Sequence, residues 1–115
     1  MHGVITGLKI KLHYSPNLYV GKGISQSKLE RFKARIYRRP LLTSACLIVF
    51  PENDSDQLEI IDVRQLIQKF YEDRELNVVG LAKNKEDAVS LIVKMTEDCL
   101  ADRKDCLLKE FLAWQ

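Results

Sequence analysis

From Val4 to His13 apolar and polar residues take turns: Leu8, Ile10 and Leu12 alternate with Lys9, Lys11 and His13. A period of two predicts a half-buried strand. Ser15-Pro16-Asn17 interrupts the pattern. Leu18-Tyr19-Val20 predicts a short second strand, able to pair with the first as an antiparallel hairpin, and Gly21-Lys22-Gly23 ends it. The period then changes. Leu29, Phe32 and Ile36 recur at helical spacing and form a candidate buried stripe. Ser27-Lys28-Leu29-Glu30 matches a capping box, in which hydroxyl and carboxylate each cover an orphan backbone donor. Pro40 stops this helix.

Ala45 to Phe50 is a continuous apolar run, the pattern of a central strand covered on both faces. An acidic loop follows, Pro51 to Asp56. Leu58-Glu59-Ile60-Ile61 fits either a short edge strand or the approach to the next helix. That helix is expected from a second capping box, Asp62 and Gln65, with Val63, Leu66, Ile67 and Phe70 facing inward. Leu76 to Ala82 predicts the third main strand. Asn84 is the expected cap of a long helix over about 85–100, with Ala88, Leu91, Ile92, Met95 and Cys99 inward. Asp105 is expected to cap a last short helix carrying Leu108, Phe111 and Leu112.

Strand–helix–strand–helix–strand–helix order predicts a single α/β domain over residues 1–115. The expected form is a three-layer domain with a small, largely parallel sheet, helices on both faces and right-handed crossovers. The hairpin would add an antiparallel edge.

Composition agrees with a folded domain: of 115 residues, 46% are hydrophobic and 30% charged. No apolar run approaches the ~20 residues that cross a bilayer, and no secretory leader pattern opens the chain. The expected location is cytoplasmic, without membrane partners. Cys46, Cys99 and Cys106 lack CxxC spacing and read as small buried hydrophobes. With only His2 and His13 available, no metal site is expected.

Charge is distributed unevenly. Residues 1–50 carry nine Lys and Arg against Glu30 alone, a formal +8, which leaves residues 51–115 at −6. Arg31, Arg35 and Arg38 recur at i, i+4 and i+7, one basic stripe beside the buried one. Three explanations fit: neutralisation by carboxylates of this chain or a second copy, an acidic partner such as nucleic acid, or a solvated face. Only Tyr37 lies near the arginines and free to stack on bases, since Phe32 belongs to the core stripe.

Candidate chemistry is sparse. Gly80 to Asp87 is neither a dinucleotide fingerprint nor a P-loop, and Glu86 and Asp87 themselves occupy the positive end of the helix dipole. Gly21-Lys22-Gly23-Ile24-Ser25 is the better anion candidate: two glycines could bend the backbone into a nest, with Lys22 supplying charge. The preferred reading is an ordinary strand-to-helix turn that needs glycine only for its dihedrals. Gly80, inside a strand, marks a close approach, with packing preferred. Leu18-Tyr19-Val20-Gly21 resembles the second half of the GIY-YIG nuclease signature. That resemblance implies phosphodiester cleavage with Tyr19, Arg31 or Arg35, and a metal-binding Glu59. Gly3-Val4-Ile5 and Thr6-Gly7-Leu8 both lack the tyrosine of the first motif. Asp56 to Asp62 and Val78 to Ala82, with Glu86-Asp87-Ala88-Val89, resemble a group of small uncharacterised bacterial α/β proteins, which implies a bacterial cytosolic protein and lends no residue a role.

The leading expectation is a non-catalytic, self-associating interaction module without cofactor, with Trp114 and Phe111 at the interface. The alternative is a nucleic-acid-binding protein whose contacts are Lys22, Lys28, Arg31, Arg35 and Arg38. The lesser alternative is a metal-dependent nuclease-like enzyme around Tyr19.

Overall fold

Every residue of Cys46–Val49 is buried, and so are the last five of Glu75–Ala82. Two such strands must lie side by side in the middle of a sheet, because only there are both faces and both edges covered. The computed structural model, which describes residues 7–51, 57–105 and 107–113, shows this arrangement. Its strands are β1 (Lys11–Val20), β2 (Cys46–Val49), β3 (Glu59–Asp62) and β4 (Glu75–Ala82), in the order β1-β4-β2-β3. Its α-helices are α1 (Leu29–Arg38), α2 (Lys85–Arg103) and α3 (Leu108–Ala113). The α/β class is as expected. Among the described residues, no helix is long and apolar enough to cross a membrane.

The sheet is mixed, not largely parallel. β1 pairs with β4 in parallel, whereas β2 is antiparallel to both β4 and β3. β1, β3 and β4 therefore share a direction, and β2 runs against them. The α1 connection thus joins antiparallel strands, and the handedness rule for parallel crossovers does not apply to it. The expected N-terminal hairpin is absent from the described residues. Ser15-Pro16-Asn17 is a bulge within β1: six residues, Tyr14 to Tyr19, span what β4 covers with three, Val78 to Gly80. An edge strand tolerates this, since proline there forfeits no ladder bond.

Side chains alternate between two apolar clusters. Leu47, Val49, Val78 and Leu81 join Ile36 in one. Cys46, Ile48, Val79 and Ala82 join Ala88, Met95, Cys99, Leu108 and Phe111 in the other. Gly80 sits against the second cluster. A Cβ there would lie 2.7 Å from Ile48 Cδ1 and 3.0 Å from Met95 Cε, so the glycine serves packing, as anticipated.

Local chemistry departs from expectation in three places. Ser27 does not cap α1; its hydroxyl lies 3.0 Å from that of Ser25, and Glu30 instead accepts from Lys33 Nζ at 3.0 Å. The expected second helix is two short 3-10 turns, Val63–Ile67 and Lys69–Tyr71. Asp62 caps the first, accepting from Arg64 N at 2.9 Å, but Phe70 is 62% exposed, outside the core. Asn84 caps α2 as expected, accepting from Asp87 N at 2.8 Å, and Asp105 accepts from Leu107 N at 3.1 Å just before α3.

Gly80→Ala should cost about 1–3 kcal/mol, the range for overpacking a filled core. Urea unfolding measures it; a change within error would mean that Met95 and Ile48 move aside freely.

Candidate functional site

The N-terminal turns of α1 form one wall of a groove of about 400 Å³. Lys28, Arg31, Phe32 and Arg35 come from α1 and its start, Gly23, Ile24 and Ser25 from the preceding turn, and Lys83 from the segment between β4 and α2. Periodicity explains the arrangement. Burying Leu29, Phe32 and Ile36 against the first cluster turns positions 28, 31 and 35 outward together. Ile24, 7% exposed, pins the turn to that cluster and fixes Ser25 beside the helix.

Four cations converge here, and among the described residues no carboxylate lines the groove. Among the described residues, none of Lys28, Arg31, Arg35 and Lys83 forms an ion pair. Of the nine basic residues before position 50, only Lys9 and Lys33 pair with a carboxylate there, Glu72 at 3.4 Å and Glu30 at 3.0 Å. The expected neutralisation within the chain is thus not how the described residues arrange themselves. Like charges so placed repel one another, a cost that a bound anion relieves.

The sequence-stated contacts divide. Lys28, Arg31 and Arg35 come together in the groove; Lys22 is exposed on the adjoining turn; Arg38, also exposed, does not line it. Lys83 was missed. Its signal is a lysine directly before the helix cap Asn84, offset in the sequence by Glu86 and Asp87 just after it. The glycines act differently from expectation. Neither Gly21 nor Gly23 lies in the left-handed region; a Cβ would meet Ala82 Cα at 3.2 Å at the first and Lys83 Cδ at 2.9 Å at the second. They let the turn lie close to the end of β4, which brings Lys83 to the groove. The available ring also changes. Tyr37 accepts from Leu12 N at 2.6 Å and is tied to β1, whereas Phe32, half-buried, lines the groove.

Tyr19 lies elsewhere. It packs with the α2 cluster, and its hydroxyl donates to Asp98 at 2.7 Å. Burial and that bond push its pKa upward, so it stays protonated at neutral pH. Glu59 is on β3, the opposite edge of the sheet from β1. At about 4.8 Å per strand, three spacings separate the strands of the proposed nuclease residues. Arg31 and Arg35 accompany the other cluster, so the set is not assembled. Among the described residues no group of three or more His, Cys, Asp or Glu is placed to hold a metal ion. Cys46 and Cys99 are buried, and burial raises the pKa of Cys46, which suits packing rather than nucleophilic attack.

Phe111, expected at an interface, is 7% exposed and belongs to the second cluster, because α3 folds back onto α2. Trp114, Cys106, residues 1–6 and the acidic residues 52–56 lie outside the described residues. A second hollow of about 310 Å³ escaped the sequence entirely: Arg74 stacks 4.1 Å over Phe70, which meets Tyr71 edge-on at 5.0 Å. Its signal was a Phe-Tyr pair near an arginine, assigned to a helix that does not form.

No protein-family model, curated protein or solved structure matches the chain. The chemistry of the groove is therefore read from its own geometry.

The Tyr19 bond gives a pH test. That bond, followed by Lys94, holds the Asp98 carboxyl below its usual range. Its stabilising contribution is present above the ordinary carboxylate range and is lost as pH falls through the lowered pKa. Tyr19→Phe should cost about 1 kcal/mol at neutral pH and move the Asp98 titration upward. Carbon-detected NMR of the carboxyl reads the second effect; an unmoved titration would show that Lys94 alone sets it.

Proposed function

We propose that this chain is a three-layer α/β domain, cytoplasmic in location, that binds single-stranded nucleic acid through the groove beside α1, without reading sequence. The observation that carries this is the convergence of Lys28, Arg31, Arg35 and Lys83 with no lining carboxylate and no ion pair of their own among the described residues. Phosphates supply the missing countercharge, and binding them releases condensed counterions. Phe32 in the same groove offers a surface on which a base can stack, a contact every base can make. Among the described residues, the groove lining holds no Asn or Gln, which would read base edges. The chemistry is therefore recognition of backbone and ring.

Fluorescence anisotropy with labelled single-stranded oligonucleotides of several sequences tests this. Wild-type protein should bind at low salt with little sequence preference and weaken steeply as salt rises. Arg31→Ala and Arg35→Ala should each weaken binding and each lower the salt slope by about 0.7. Phe32→Leu should weaken it without changing the slope, while Arg38→Ala serves as the control outside the groove. No anisotropy change at low salt would end the proposal.

A further inference from the structure

One face of α2 is apolar and uncovered. Val89, Val93 and Leu100 are 46%, 52% and 44% exposed, although the helix already buries Ala88, Met95 and Cys99 on its other side. At 100° per residue, Val89, Val93, Thr96 and Leu100 fall within about 60° of arc. Their spacing is four, three, four, and so reads identically in both directions along the helix. A surface with that symmetry is complementary to itself when two copies pack antiparallel. Val89 then faces Leu100 of the second copy, and Val93 faces Thr96.

The charges follow the same symmetry. Glu86 stands at the N-terminal end of this face and Lys104 at its C-terminal end, both exposed. In the antiparallel pair Glu86 of each copy meets Lys104 of the other. Lys85 approaches Arg103, but Arg103 already binds Asp105 at 3.2 Å and Glu110 at 2.6 Å, a cluster of formal charge −1. The helix dipoles also oppose, which favours this orientation over the parallel one.

We infer that the chain forms a two-fold homodimer through α2, with Val89, Val93 and Leu100 at its centre and Glu86–Lys104 pairs at its ends. This is independent of the nucleic-acid reading. A helix of this length presents about 28 Å of contact, a small interface for a stable dimer, so the affinity is modest and the equilibrium concentration-dependent. Another exposed apolar patch among the described residues, Leu41 and Leu42 on the turn that contacts Val63–Ile67, lacks the four, three, four spacing.

Sedimentation equilibrium of the full chain over a wide concentration range tests the inference. Wild type should move from monomer to dimer. Val93→Asp should weaken association at least about tenfold; because Val93 is exposed, its thermal unfolding should match wild type. Glu86→Lys and Lys104→Glu should each weaken it, and the double exchange should restore it, an outcome that damage to the fold would not produce. A wild type that stays monomeric throughout overturns the inference. So does association that survives Val93→Asp, a double exchange that fails to restore it, or association abolished by Leu42→Asp instead.

Discussion

Two strands buried on both faces, β2 and β4, are the constraint from which the rest follows. Their backbone groups are satisfied by pairing, but their side chains alternate into two apolar clusters, and each cluster needs a helix to close it. Closing the first with Leu29, Phe32 and Ile36 fixes the rotation of α1 about its own axis. That rotation, in turn, places Lys28, Arg31 and Arg35 together on the side away from the core. The basic groove is thus a consequence of how the apolar stripe is spaced, completed by a turn whose glycines let Lys83 come close.

Much of this was legible in the chain, and the failures have identifiable causes. The apolar run Ala45 to Phe50 does contain a central strand, Cys46–Val49. What misleads is inferring its direction: burial on both faces requires two covered sides and does not say which way a strand points. Ser15-Pro16-Asn17 has the composition of a turn, yet the same residues form a bulge when a neighbouring strand holds the chain on both sides of them. The capping box at Ser27 fails because a 3-10 turn, Gln26–Lys28, precedes α1 and shifts its start. Asn84 succeeds because no competing turn intrudes and its partner Asp87 N lies where helical geometry puts it.

The site was half legible. Periodicity alone put Arg31 and Arg35 on one side of a helix, and grouping Arg38 with them extended the stripe one turn too far. Lys83 could not be found that way, because it comes from a segment some fifty residues distant in the chain. Tyr37 and Phe32 exchanged roles for a similar reason: a hydrogen bond to Leu12 across the fold decides which ring is free. Local pattern gives faces of elements; which faces meet is a tertiary fact. The groove and the uncovered face of α2 belong to elements packed against different clusters, so a dimer through α2 carries two grooves, and a flexible strand long enough to reach both gains avidity.

The central claim is that the unpaired cations beside α1 are a binding site and not an idle charged surface. Amide and guanidinium NMR during titration with a short single-stranded oligonucleotide tests it most directly. The account predicts shift changes concentrated at Gly23, Ser25, Lys28, Arg31, Phe32, Arg35 and Lys83, reversed by added salt. Unchanged resonances there, or changes confined to α2 and α3, would contradict it.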